Sequence, residues 1–265
     1  MRRWLALLVP LCLMAGPARA EEDPLGSVLW DAVRGVLFAD AAVVFDDRVQ
    51  VFSPPRVEDT MDVPVEVAVE GLPGVTRIVV FADHNPIPRV LTFEPQRAQP
   101  RLSLRMKVQE ATPIRAAALT ADGVWHVGGL RVDAAGGGCT TPTASQASKL
   151  WETALNQVQA RQWTRPDGGT RLRVRILHPM DTGLADGIPA MFIEDLRVTD
   201  LDGAPIARLY PAEPVSENPV FTFDLAPGVG ARGVLLSGRD NQGNELAARV
   251  APADGPFGLL EGPLR

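Results

Sequence analysis

Cysteine is almost missing from this chain of 265 residues, which has only Cys12 and Cys139. Cys12 lies in an N-terminal stretch that reads as a removable leader, so the mature chain keeps one thiol and can form no internal disulfide. Lysine is as scarce, at Lys107 and Lys149 alone, and the sequence attaches no role to that habit. The three histidines, His84, His126 and His178, are scattered. Their spacing lacks the short clusters that metals need, so no metal ligand is read, and no cofactor motif either. Beyond residue 20 no apolar run is long enough to cross a bilayer, which excludes membrane insertion. Bases are outnumbered: 26 Lys and Arg face 32 Asp and Glu, a net charge of −6. An acidic chain is a poor partner for nucleic acid or anionic lipid.

The leader has three parts. Arg2 and Arg3 form a positive start, Trp4 to Ala15 an apolar run, and Ala18-Arg19-Ala20 an A-x-A cleavage site before Glu21. Its removal leaves 245 residues, with 23 bases against 32 acids and a net charge of −9. The expectation is an exported, periplasmic protein held together by ordinary cores.

Asp23-Pro24 predicts a helix start, continued by Leu25, Val28, Leu29, Val33, Val36 and Leu37 at helical spacing. From about Val43 the period shortens to two. Val63, Val65, Val67 and Val69 alternate, as do Leu102, Leu104, Met106 and Val108. Thr76 to Phe81, Ile114 to Leu119 and Val124 to Val132 also read as strands, with Pro and Gly between them. After Cys139, Thr143 and Gln146 have capping-box spacing, and Ala147, Leu150, Trp151, Ala154, Leu155 and Val158 mark a helix. Strands then return at Arg171 to Ile176, Phe192 to Thr199, Val220 to Leu225, Arg232 to Ser237 and Glu245 to Val250. The fold class expected is all-β with flanking helices: two immunoglobulin-like antiparallel β-sandwiches in tandem. The divisions expected are 1–20 leader, 21–139 first sandwich, 140–170 linker and helix, 171–252 second sandwich and 253–265 loose tail.

Cys139 closes the run Gly136-Gly137-Gly138-Cys139. Glycine relaxes φ/ψ limits, so the three glycines read as a flexible arm presenting a solvent-reachable thiol. The alternative, a buried cysteine acting as a small hydrophobe, has no apolar strand pattern around it. A Cys-His nucleophile pair needs its base held in place, and a mobile arm holds none. Gly136 to Gly138 do not lead into a helix at phosphate-loop spacing. Asp46-Asp47 reads as a solvated turn.

Two sets of residues carry a resemblance. Ile78 to Pro88, Ala121 to Trp125 and Gly136 to Cys139 resemble SoxY. Arg173 to Gly183 (which contains His178-Pro179-Met180-Asp181-Thr182-Gly183), Glu217 to Phe221 and Arg239 to Gly243 resemble SoxZ. The order is that of the fused SoxYZ-like proteins found beside quinoprotein alcohol dehydrogenases. The resemblance implies two sandwiches packed as a pseudo-heterodimer. It also implies a non-enzymatic carrier in which Cys139 covalently holds sulfur intermediates for partner enzymes of periplasmic thiosulfate oxidation. A non-catalytic assembly partner of a quinoprotein dehydrogenase is the other reading, and a thiol enzyme a third. Here the arm departs from a free chain end, because Thr140-Thr141-Pro142 leads on into the second half.

Overall fold

The computed structural model describes residues 22–148 and 151–253. The expected leader, Cys12 and the tail beyond residue 253 lie outside the described residues. Among the described residues no helix is long and apolar enough to cross a membrane.

The N-terminal half holds α1 (Trp30–Phe38) and nine strands. These are β1 (Val43–Phe45), β2 (Val49–Phe52), β3 (Arg56–Val57), β4 (Val63–Val69), β5 (Val75–Ala82), β6 (Arg89–Glu94), β7 (Ala98–Met106), β8 (Thr112–Thr120) and β9 (Trp125–Ala134). Two short helices follow, α2 (Ala144–Ser148) and α3 (Trp151–Ala154). The C-terminal half adds β10 (Val158–Thr164), β11 (Thr170–Ile176), β12 (Ile193–Asp200), β13 (Pro205–Pro211), β14 (Val220–Leu225), β15 (Val234–Asp240) and β16 (Glu245–Val250).

These strands form two tandem immunoglobulin-like sandwiches whose sheets run on from one half into the other. One sheet has the order β1-β9-β8-β5-β6-β13-β12-β15-β16, with β3 added beside β9; the second has the order β10-β11-β14-β7-β4-β2. The halves therefore join twice by antiparallel pairing. In one seam Leu209 of β13 faces Phe93 of β6. In the other Phe223 of β14 faces Leu102 of β7. Between the sheets Phe93 and Phe223 meet with ring centroids 6.0 Å apart. One continuous apolar cluster includes Val63, Val65 and Val67 from the first half with Leu172, Val174 and Ile176 from the second. Each such side chain, fully buried, contributes roughly 1.5–3 kcal/mol. The alternating valines and leucines point inward because a strand's period of two puts them all on one face.

Two expectations need correction. The first helix begins at Trp30, not after Asp23. The Asp23 carboxylate instead accepts from the amides of Leu25 (3.1 Å) and Ser27 (2.7 Å), and Gly26 at φ +59° turns the chain out of helical geometry. The buried face is Trp30, Val33 and Phe38, while Val28 and Val36 are exposed. It covers Val79, Phe81, Ala117, Trp125 and Val127 on the outside of the larger sheet. Secondly, the helix expected to run through Val158 stops at Ala154, and Val158 opens strand β10. Asn156 takes a left-handed φ of +62° between them.

Candidate functional site

Strand β9 ends at Ala134, and the chain then makes a tight turn through Gly136-Gly137-Gly138-Cys139. The turn is fastened along its length. Gly137 N–H donates to Gln109 O (2.8 Å) and Gly138 N–H to Val108 O (3.1 Å). Thr60 Oγ1 donates to Gly136 O at 3.2 Å. Cys139 N–H donates to Gln109 Oε1 at 3.2 Å, and Thr141 Oγ1 donates back to Gly137 O at 2.7 Å.

The solvent-reachable thiol on an unpacked arm is not what the structure shows. Cys139 is 1% exposed. The glycines serve geometry here. Gly136 and Gly137 take φ of +107° and +89°, values that side chains resist. A Cβ on Gly138 would lie 2.1 Å from Thr60 O and 2.5 Å from Val108 O, so only glycine lets these backbones approach.

The C-terminal half supplies the remaining wall. Thr182 Oγ1 donates to Cys139 O at 2.6 Å. Asp181 accepts from Thr143 Oγ1 at 3.1 Å and from Gln146 Nε2, fixing the chain just beyond the cysteine. Met180, at φ +51°, aims its carbonyl at Lys107 Nζ. His178 is fully buried. Its Nδ1 accepts from Met180 N–H at 3.0 Å, which leaves the proton on Nε2, 3.5 Å from Asp240 Oδ2. The segment His178 to Thr182, picked out in the sequence by resemblance, thus meets the cysteine of the other half through Thr182 and the chain just beyond it through Asp181.

Lys107 is the residue that sequence reasoning missed. It is 1% exposed, and its ammonium donates to the carbonyls of Met180, Val215 (2.9 Å) and Glu213 (3.3 Å), all in the C-terminal half. Asn85 Nδ2 donates to Lys107 O at 2.9 Å and Asn85 Oδ1 accepts from Gln109 N–H at 2.9 Å. The strand end 107–109 therefore carries both the pin between the halves and the acceptors for the Cys139 turn.

Burial sets the electrostatics of this niche. It pushes the Cys139 thiol up to about 11, against the lowering effect of Lys107. It pushes Lys107 down to about 8, against the pull of Asp181, Cys139, Glu217 and Glu213. His178 is pushed down to about 4 by burial despite Asp240. In this conformation the thiol is protonated at neutral pH and His178 is neutral, with Nδ1 already engaged, so the niche stores a thiol without activating it.

The other singled-out residues lie apart from this site. His84 stands in a turn with Nδ1 2.9 Å from Ala111 O. His126 Nδ1 lies 2.7 Å from Asp46 Oδ2. Asp46 is not solvated as expected: it also binds Arg48, whose hydrogen bonds hold its carboxyl well below the usual carboxylate range despite partial burial. No group of three or more metal-ligating side chains converges among the described residues.

The family described as sulfur oxidation protein SoxY matches residues 34–139, and that described as sulphur oxidation protein SoxZ matches residues 158–251. The solved structure of the sulfur carrier protein SoxY from Chlorobium limicola f thiosulfatophilum aligns with 25% identity and a TM-score of 0.36, over 40% of this chain and 96% of that one. No curated protein matches. The SoxY match closes on Cys139 and the SoxZ match contains the segment that grips it; the chain belongs to these two families of sulfur oxidation proteins, joined in that order as one fused SoxYZ-like polypeptide.

Proposed function

We propose that this protein is a periplasmic sulfur carrier that holds intermediates covalently on Cys139 and presents them to partner enzymes. The observation that carries the reading is the clasp itself: the one described thiol ends the SoxY match, and Thr182 of the SoxZ match binds its carbonyl. A thiol loaded through an S–S bond gives up its proton and, with the incoming sulfur species, two electrons, which a partner acceptor takes up. On this reading activation falls to those partners, and the chain's own part is to hold and present the sulfur.

Cys139 must leave the niche to be loaded. Opening of the whole turn breaks five hydrogen bonds to its surroundings, at roughly 0.5–1.5 kcal/mol each. That is on the order of 2.5–7.5 kcal/mol, enough to keep the open form a minor population that a docking partner can capture. The flexible-arm role expected of Gly136, Gly137 and Gly138 belongs to this open form. Burial of Cys139 also favours a second reading, a non-catalytic assembly partner of a quinoprotein dehydrogenase in which the thiol is incidental.

Intact-mass analysis of protein isolated from the periplasm separates the two. A mass increment removed by reductant and missing in Cys139→Ser supports the carrier; an unmodified thiol throughout sulfur oxidation supports assembly. Native thiol labelling tests the opening step. Labelling much faster than global unfolding is expected, and labelling no faster than unfolding would overturn it.

A further inference from the structure

The two sheets present different outer faces. On the larger sheet four arginines are matched: Arg77 pairs with Glu94 (3.0 Å), Arg197 and Arg208 with Asp195 (2.7 Å each) and Arg239 with Glu194 (2.7 Å), while Arg131 on β9 and Arg249 on β16, two strands at opposite sides of that sheet, stand exposed and apart from one another. On the six-stranded sheet, β11 turns Arg171, Arg173 and Arg175 to solvent. Asp224 takes Arg171 at 2.7 Å, whereas Arg173 and Arg175 have no acidic partner among the described residues. Register sets Arg173 directly opposite Arg161 of β10. Like charges directly opposite each other destabilise a sheet; Arg161 is drawn over the Trp163 ring, 5.1 Å from its centroid, and Arg173 is left facing solvent.

Arg173 also begins a row across the sheet. It faces Thr222, which faces Ser103, then Glu66 and Phe52. The short side chains of Thr222 and Ser103 form the floor of a trough of about 460 Å³ bounded by Arg105, Arg173, Phe52 and Pro54. A second hollow of about 470 Å³ shares Arg105, Arg173 and Val220 with it and extends past Arg175 to Met61 and Lys107. Five strands at ~4.8 Å spacing make the row roughly 19 Å long, the span of about six extended residues. One end carries two unpaired guanidinium groups; the other carries Phe52, a phenyl ring 50% exposed.

We infer that this trough docks an extended acidic segment of a partner protein, with carboxylates on Arg173 and Arg175 and an apolar side chain on Phe52. Guanidinium forks match carboxylates bidentately, and the partner is drawn to this face although the whole molecule, at −6, repels it. Of the lining acids, Glu66 is held by Arg101 and Asp62 by Arg105, and Asp59 and Glu217 lie at the Lys107 end, where Glu217 Oε2 accepts from Ser145 N–H at 3.1 Å. If the carrier reading holds, the position has a further use. Residues Asp59, Met61 and Asp62 line the second hollow, which adjoins the trough at Arg105 and Arg173, and Thr60 between them binds Gly136 O and Val108 N–H. A docked segment therefore touches the stretch that fastens the Cys139 turn.

The test uses the full mature protein and a fluorescein-labelled hexapeptide with two glutamates at one end and leucine at the other, followed by anisotropy. Saturable binding that weakens with salt is expected, reduced at least ~10-fold, about 1.4 kcal/mol, by the double change Arg173→Glu and Arg175→Glu. Arg77→Glu on the other sheet leaves it unchanged. The same binding by Cys139→Ser keeps this result separate from the carrier reading. No binding up to about 1 mM, equal binding of a glutamine version, or indifference to the charge reversal would overturn the proposal. So would arginine-dependent binding of phosphatidylglycerol vesicles without peptide binding, which would assign the face to a membrane.

Discussion

Among the described residues two cations are buried, Arg115 and Lys107, and they are held in opposite ways. Arg115, in the sheet under α1, is fully buried and meets two carboxylates: its Nη2 lies 2.7 Å from Asp23 Oδ2 and 3.0 Å from Asp83 Oδ2. It also stacks over Trp30, 4.6 Å from the ring centroid. Lys107, at the junction of the halves, bonds only carbonyls. Arg115 is neutralised within its own half and acts as a fastening. The charge of Lys107 is left for its neighbours to feel, among them the thiol of Cys139.

The comparison is broken most severely from the arginine side. Arg115→Met should cost roughly 3–5 kcal/mol in denaturant unfolding, because buried Asp83 and part-buried Asp23 lose their shared cation. Native labelling of Cys139 should not change. If the thiol becomes reachable as well, the two regions are coupled and the contrast fails.

The alkaline limb comes next. Cys139 holds its proton to about 11 in the folded chain, against an ordinary 9.0. Between those values the folded state binds a proton that the unfolded state has shed, so this group's contribution to stability falls as pH rises. Lys107, at about 8 against 10.5, acts in the opposite sense, since there the unfolded state binds the extra proton. The difference between wild type and Cys139→Ser carries the thiol together with its coupling to Lys107. It should grow in favour of the variant by up to about 3 kcal/mol between pH 9 and 11. A constant difference would mean the thiol is not buried.

Lys107→Met should cost roughly 2–3 kcal/mol, since it leaves three carbonyls without their donor but also removes a desolvated charge. Unlike the arginine change, it should speed native labelling of Cys139 at least ~10-fold, by loosening both walls of the niche.

The finest cut is Gly138→Ala. Its Cβ would strike two backbone oxygens, for a cost of about 1–3 kcal/mol with faster labelling. A neutral effect would show that the glycine serves mobility only.

Alternation made most of the inner faces legible, because Val63 to Val69 and Leu172 to Ile176 have a period that only a half-buried strand uses. What escaped is instructive. Strands β6 and β13, one of the two seams, are bounded by prolines at Pro88, Pro95, Pro205 and Pro211, and they read as punctuation. In the site, Cys139 was legible from its rarity, but glycine signals freedom and close approach with the same letter. Lys107 was hidden by the pattern that found its strand. Alternation with Leu104, Met106 and Val108 assigns it to the solvent side, and only the second half, through Pro214 O at 2.6 Å from Lys107 N, covers it. The signal available was its scarcity.

The double seam has one more consequence. Taken apart, the halves would each offer two raw sheet edges, β6 and β7 on one side and β13 and β14 on the other. Rows of unpaired N–H and C=O groups of that kind template aggregation. A two-chain assembly exposes them whenever dilution favours dissociation. Here one polypeptide holds each edge beside its mate at a fixed local concentration, in the millimolar range for short linkers, however scarce the protein becomes.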